Sequence, residues 1–255
     1  MRQRKEEETV PHRLRSPLST CSAAPAACRH SVRIEALSNA HLFTELPVAE
    51  LSTLERLVSA PGYVAGERIY RVGAQAGSLF IVASGAVKLV RPSPRGDNAV
   101  VSVLGPGDTF GTLTRIERCG ETAVTMVDSC IIGIPVRVVR SVLERHPKVA
   151  MAAFDELADR LEQSYQALEQ LSVGSADKRV AAALLNLSEK LGRQTPGGIE
   201  LSIPLSRADL GAIAWITPES ASRALGRLHA VGAVDFGRQW TSIIDPALLH
   251  DIATS

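Results

Sequence analysis

Glu219, Ser222 and Arg223 stand three and four residues apart in the run Thr217-Pro218-Glu219-Ser220-Ala221-Ser222-Arg223. On a helix that spacing brings all three to one face. Together they can read the edges of base pairs. A guanidinium donates in pairs to guanine O6 and N7, a carboxylate accepts from cytosine N4, and a hydroxyl meets thymine or a phosphate. A Glu and an Arg four apart also make an ordinary solvated ion pair. The elements around them must therefore carry this face into a groove if it is to read anything.

Those elements are well marked. Thr217 is a helix N-cap and Pro218 fits the first turn, where a missing N–H costs nothing, while Ala221, Leu225 and Leu228 fall on the inward face. Just upstream, Ser206 with Asp209 three residues on marks a second cap, and Leu210, Ile213 and Ala214 follow at core spacing. Trp215-Ile216 is the turn between the two helices, and Arg207 at the first helix start is a candidate contact to a nucleic-acid backbone. After Gly232, runs at 233–236 and 241–244 joined through Gly237, Arg238 and Gln239 read as a small β-wing. Before the pair, 177–191 reads as a helix carrying Val180, Leu184 and Leu187, followed by a turn region over 192–198 and a strand over 199–203.

From Pro147 to Gly174 no breaker interrupts a helical pattern in which Phe154, Leu157, Leu161, Ser164, Leu168 and Leu171 recur in steps of three and four. That is the seam of a two-stranded coiled coil, or else one amphipathic helix on its own domain. The length of the repeat favours the coiled coil and a homodimer. Between Tyr63 and Pro135 the texture is of short β-branched runs at 68–72, 79–83, 86–91, 99–104, 123–127 and 130–134, punctuated by glycines, which predicts a sandwich or barrel. A short helix opens at Leu46-Pro47, with Leu51, Leu54, Leu57 and Val58 on one face.

The phrases Gly66-Glu67-Arg68-Ile69, then 79–89, then Gly105-Pro106-Gly107-Asp108-Thr109-Phe110-Gly111 resemble a cyclic-nucleotide-binding-like β-roll. With the seam helix and the helix–turn–helix–wing order, the chain from about Leu37 to Ile252 resembles the CRP/FNR family of bacterial transcription regulators. Ser206-Arg207-Ala208-Asp209-Leu210-Gly211 and the Thr217 run carry most of the likeness. The mix of Arg, Glu, Ser, Pro and Ala over 1–36, with little apolar periodicity, predicts a poorly ordered tail, and the resemblance implies an α+β fold with a β-roll sensor over 37–146, a dimerisation helix over 147–173 and a winged helix-turn-helix over 174–255. It also implies double-stranded DNA, a second copy and RNA polymerase as partners. Pro218 stands where the cyclic-AMP-receptor branch carries an Arg, so the reading residues resemble those of the FNR branch and imply a TTGA-N6-TCAA-like palindrome. Ser206, Arg207 and Thr217 join Glu219, Ser222 and Arg223 as DNA-contact candidates.

The signal is less determined. A cyclic-nucleotide pocket in this family has a Glu in the F-G-E-L phrase and an Arg before a Ser or Thr, but here the residues are Phe110-Gly111-Thr112-Leu113 and Glu121-Thr122. A carboxylate beside a phosphate repels it, which disfavours cyclic AMP. Cys21 and Cys28 with Cys119 and Cys130 are four soft ligands for an iron–sulfur cluster, although Ser31 stands where a close partner to Cys28 is expected; the alternatives are a buried apolar Cys130 and a loop thiol at Cys119. Haem with His41 or a histidine of the N-terminal tail as ligand, and no effector at all, stay open beside these.

Composition narrows the classes. The net charge of +1 supplies no bulk attraction to nucleic acid, so DNA binding must come from placement. No apolar run approaches a membrane span, and the Arg- and Glu-rich start lacks a signal-peptide core, which predicts a cytoplasmic protein. No His lies between His41 and His146, as a metal enzyme on the β-roll would require, and no catalytic constellation is visible, so the chain is not expected to be an enzyme. The competing reading is a regulatory module with a nucleotide-sensing β-roll and no DNA contact.

Overall fold

The structure, a computed structural model, describes residues 28–92, 98–113 and 117–255, with the backbone alone at 98 and 166–173. The chain begins with α1 (His30–Asn39), a 3-10 turn (His41–Phe43) and α2 (Val48–Glu55). The strands β1 (Gly62–Tyr63), β2 (Arg68–Tyr70), β3 (Ser78–Ser84), β4 (Val87–Pro92), β5 (Asn98–Leu104), β6 (Thr109–Gly111), β7 (Thr122–Thr125) and β8 (Ser129–Pro135) follow. Then come α3 (Val136–Arg145), the long α4 (Pro147–Val173), α5 (Ala176–Leu191), β9 (Gly192–Thr195), β10 (Gly198–Leu201), α6 (Arg207–Ala214), α7 (Pro218–Ala230), β11 (Val234–Gly237), β12 (Trp240–Ile243) and α8 (Pro246–Thr254).

Strand alternation builds the β-roll. Two four-stranded sheets, β1-β8-β3-β6 and β2-β7-β4-β5, face each other. Successive side chains of a strand point to opposite faces. In β3, Phe80 and Val82 turn into the roll against Val87, Leu104, Phe110 and Ile131, while Leu79 and Ile81 turn outward under the helices. That outer layer joins Ala36, Leu37 and Ala40 of the α1 region and Leu42 and Phe43 of the 3-10 turn to Val149 and Ala153 of α4. On the other sheet, Ala86, Val90, Val100 and Val103 pack outward into one core with Val180, Leu184, Leu187, Leu210 and Leu225 of the C-terminal helices. The sensor and the C-terminal domain thus share a continuous apolar layer.

The C-terminal domain is a winged helix-turn-helix. Its sheet runs β11-β12-β10-β9, all antiparallel, and α5, α6 and α7 bury Leu184, Leu210, Ala221, Leu225 and Leu228 between them. Each of those leucines contributes roughly 1.5 to 3 kcal/mol by leaving water. The overall class is α+β.

The structure departs from the sequence reading at several points. Helix α1 starts inside the stretch expected to be a poorly ordered tail, because Ala36 and Leu37 find a buried seat on β3; residues 1–27 lie outside the described residues. Leu57 does not share the α2 face, since the helix ends at Glu55 and Leu57 is exposed. The six expected strands are present, with β1 and β6 in addition, and the expected turn over 192–198 is largely β9, hairpinned to β10. Helices α3 and α8 were not foreseen. Among the described residues no helix is long and apolar enough to cross a membrane.

Candidate nucleic-acid interface

Helix α7 begins where its cap says it should. The Thr217 hydroxyl accepts from the Ser220 N–H at 3.2 Å and Pro218 occupies the first turn. The buried side is Ala221, Ala224, Leu225 and Leu228, which leaves Glu219, Ser222 and Arg223 exposed together on the outer face. Glu219's own backbone N–H and the Thr217 hydroxyl, with Arg223 nearby, hold its carboxyl below the usual range. It is therefore an ionised acceptor at neutral pH. Among the described residues Arg223 is tied only to Ser220, whose hydroxyl accepts from Nη2 at 3.3 Å, and its exposed guanidinium is free to turn toward a groove.

The turn that aims α7 is tight. Trp215 adopts the left-handed region at φ 57°, and the Ile216 N–H donates to the Gly211 carbonyl at 2.9 Å. A Cβ on Gly211 would lie 2.9 Å from the Ile216 carbonyl oxygen and 3.1 Å from the Pro218 nitrogen, both backbone atoms that cannot step aside. Gly211→Ala gains helix propensity of about 1 kcal/mol. The overlap outweighs it, and a net loss of about 1 to 2 kcal/mol is expected, within the usual cost of overpacking. Chemical denaturation checks this: an unchanged or raised midpoint would show that the turn is not held by that contact.

Ser206 and Arg207 open α6. The Ser206 hydroxyl accepts from the Asp209 N–H at 3.0 Å and donates to the Asp209 carboxylate, so its first task is the cap. Arg207 lays its guanidinium 4.5 Å over the Phe236 ring in the wing strand β11, and burial lowers its pKa. His229 of α7 meets the same ring edge-on at 5.3 Å. This stack sets the wing against both helices and holds Arg207 half-buried at the start of α6. Arg227 fixes α7 to α5 through a two-pronged pair with Asp177, at 2.8 and 2.5 Å.

A residue absent from the sequence reading links the two halves. Lys88 of β4 reaches Asp209 of α6 at 2.5 Å across 121 positions of sequence. Burial pushes the Asp209 carboxyl up, but the Lys88 ammonium and the Ser206 hydroxyl outweigh it and the group is held below the usual range. Lys190 of α5 pairs likewise with Asp108 of the roll at 3.4 Å. No local pattern signals such pairs.

Of the seam residues on α4, Phe154 (66% exposed), Leu157 (47%) and Leu161 (54%) face outward, as do Met151, Tyr165 and Ser164. The opposite side, Val149, Ala152 and Ala153, is buried. The Ser164 hydroxyl donates back to the Arg160 carbonyl at 2.8 Å. Side chains at Leu168 and Leu171 lie outside the described residues.

Inside the roll, Tyr70, Phe80 and Phe110 stack with centroids 5.2 to 6.1 Å apart. Glu121 accepts from the Tyr70 hydroxyl at 3.0 Å, and burial together with this carboxylate raises the Tyr70 pKa. Burial and Glu121 also push the Cys119 thiol up. The same Glu121 carboxylate lies 3.7 Å from the Arg91 guanidinium. From the other side Arg160 and Glu156 of α4 both bond to Thr109.

The cysteine expectation needs correction. Cys28 and Cys130 are bonded to each other, with Cα atoms 5.9 Å apart, and both are buried. Their sulfurs are thereby used up as ligands, and Cys130 is a disulfide partner instead of a lone apolar thiol. Cys119 lies between β6 and β7, and Cys21 is outside the described residues. Among the described residues no group of three or more His, Cys, Asp or Glu is placed to hold a metal ion. The four-cysteine cluster does not fit this arrangement. His41 is exposed on the 3-10 turn.

Comparison with known proteins agrees with the two halves. Residues 62–146 match the cyclic nucleotide-binding domain and residues 178–252 the Crp-like helix-turn-helix domain. The chain is 32% identical over 194 residues to the cyclic AMP receptor protein of Thermus thermophilus, covering 75% of this chain and 86% of the relative. It is 23% identical to the fumarate and nitrate reduction regulatory protein of Vibrio cholerae, over 80% and 83% of the two chains. In fold it is similar to FixK2 of Bradyrhizobium japonicum, with a TM-score of 0.70 at 24% identity, covering 78% of this chain and 98% of that one. An exposed, capped second helix on a wing, a β-roll beneath it and these relatives make one assignment: the chain belongs to the CRP/FNR family of DNA-binding transcription regulators, and is not an enzyme.

Proposed function

We propose that this regulator works in the cytoplasm as a homodimer that reads a TTGA-N6-TCAA-like palindrome with α7. The observation that carries the reading is the exposed trio Glu219, Ser222 and Arg223 on a helix whose opposite face is wholly buried. Arg223 addresses guanine, Glu219 cytosine N4, and Ser222 a thymine or phosphate. Ser206, Arg207 and Thr217, at the two helix starts, face the flanking phosphates. The outward α4 stripe of Phe154, Leu157, Leu161 and Ser164, continued in sequence by Leu168 and Leu171, pairs two copies about a two-fold axis. That axis sets half-sites one helical turn apart. RNA polymerase is the further partner that the family suggests.

The sensor over 37–146, extended at its N-terminal end by α1, takes a redox, gas or small-molecule signal other than cyclic AMP. The carboxylate of Glu121, bonded to Tyr70, supports this reading. Titration of the purified protein against a labelled TTGA-N6-TCAA duplex tests the operator, with a scrambled duplex as reference at the same salt. Binding about a thousandfold tighter to the palindrome is expected, the low end of ordinary operator specificity. Equal binding to both duplexes would sink the operator assignment.

A further inference from the structure

Cys28 and Cys130 lie 102 positions apart in sequence, yet their bond fastens the chain just before α1 to the start of the β8 strand. Cys130 is hemmed in on both sides, opposite Gly62 of β1 and Ser84 of β3. Cys28 belongs to no helix or strand. Its N–H donates to the Ala60 carbonyl at 3.3 Å, and its carbonyl accepts from Arg33 at 2.7 Å. Arg33 is in turn bonded to Glu55 of α2, with His30 on the same carboxylate at 3.2 Å. Arg29, His30 and Ser31 beside Cys28 are exposed, so this end of the bond is the one that opens to solvent.

We propose that Cys28 and Cys130 form a thiol–disulfide exchange site whose redox partner is a dithiol, and that the oxidised state is the DNA-binding state. A dithiol thiolate attacks the Cys28 sulfur, the Cys28–Cys130 bond breaks, and Cys130 leaves as a thiolate that takes up a proton. The second thiol of the reductant then displaces Cys28, so the site gains two electrons and two protons and the dithiol becomes a disulfide. A small disulfide reverses the steps. The consequence runs through packing: Leu37, Ala40, Leu42 and Phe43 behind the tether share one buried layer with Val149 and Ala153, the inner face of α4. The outer face of the same turns begins with Met151 and Phe154. Releasing Cys28 loosens α1, and with it the seat of the helix that pairs two copies. This rests on the homodimer reading above, and it gives the sensor a redox input without a metal.

The test uses the full chain. Alkylation without reductant followed by peptide mass mapping is expected to recover a linked Cys28–Cys130 peptide pair, and free alkylation of both residues would overturn the site. Dithiothreitol is then expected to speed tryptic cleavage after Arg29 and Arg33. It should also shift the monomer–dimer equilibrium toward monomer and weaken binding to the TTGA-N6-TCAA duplex about tenfold, a coupling of ordinary allosteric size. Cys28→Ser should match the reduced protein under both conditions, and Cys119→Ser the unmodified protein; Cys130→Ala serves as the second variant, because a hydroxyl in that strand risks the fold. Faster cleavage with unchanged dimerisation removes the regulatory claim. Redox-dependent dimerisation without binding to the palindrome in either state leaves the exchange site standing and defeats the operator instead.

Discussion

Replacing Phe154 and Leu161 together with glutamate is expected to give a folded monomer whose affinity for the palindrome falls about a hundredfold, the lower range of what bivalent attachment contributes. The two side chains are 66% and 54% exposed, so within one chain they have little contact to lose. Their removal should leave the thermal midpoint nearly unchanged, as for most surface substitutions. In a two-fold pair the same positions meet their own copies, and four carboxylates would crowd an apolar seam. Desolvating those charges without partners costs far more than the seam returns. Sedimentation and duplex titration read the two consequences separately. A dimer that persists in the double variant would move the interface off this face, and a monomer that keeps full affinity would remove the need for pairing. Ser164→Glu is the milder companion, because the small hydroxyl turns back onto the Arg160 carbonyl and contributes little apolar area.

What could be read from the sequence was local. Both helix caps, Ser206 with Asp209 and Thr217 before Pro218, lie within four residues of what they satisfy, and both helices start beside those residues. The α7 face follows from 3.6-residue periodicity, and six strands follow from β-branched runs between glycines. The remainder depends on partners distant in sequence. Strands β1 and β6 are two and three residues long and exist through pairing with β8 and β3. Helix α1 has little amphipathic pattern of its own and is fixed by burying Ala36 and Leu37. The Lys88–Asp209 pair and the Cys28–Cys130 bond close separations of 121 and 102 residues. Four cysteines suggested ligands because their count was visible and their pairing was not.

Arg223→Ala is expected to weaken binding to the TTGA-N6-TCAA duplex by about 1 to 3 kcal/mol, the usual worth of one bidentate guanine contact, and to change binding to a scrambled duplex much less. The reason for a base-specific loss is structural. Among the described residues the Arg223 side chain bonds only to Ser220, at 3.3 Å, so its removal leaves the fold of α7 in place, with the Thr217 cap, the buried Ala221, Ala224 and Leu225, and the Arg227–Asp177 pair intact. Arg223→Lys separates charge from geometry: it retains a cation for phosphate but loses the planar fork. If Arg223 reads guanine, the lysine variant falls close to the alanine variant on the palindrome. It should then tolerate replacement of the half-site guanine that the unmodified protein rejects. If Arg223 only attracts phosphate, lysine restores binding, the alanine variant loses equally on both duplexes, and the guanine replacement costs the unmodified protein nothing through this residue. Glu219 makes the alternatives sharper. Its carboxylate is ionised and four residues away, so an arginine lacking a base partner has a competing acceptor on its own helix, and guanine O6 and N7 offer the guanidinium a two-pronged alternative in the groove.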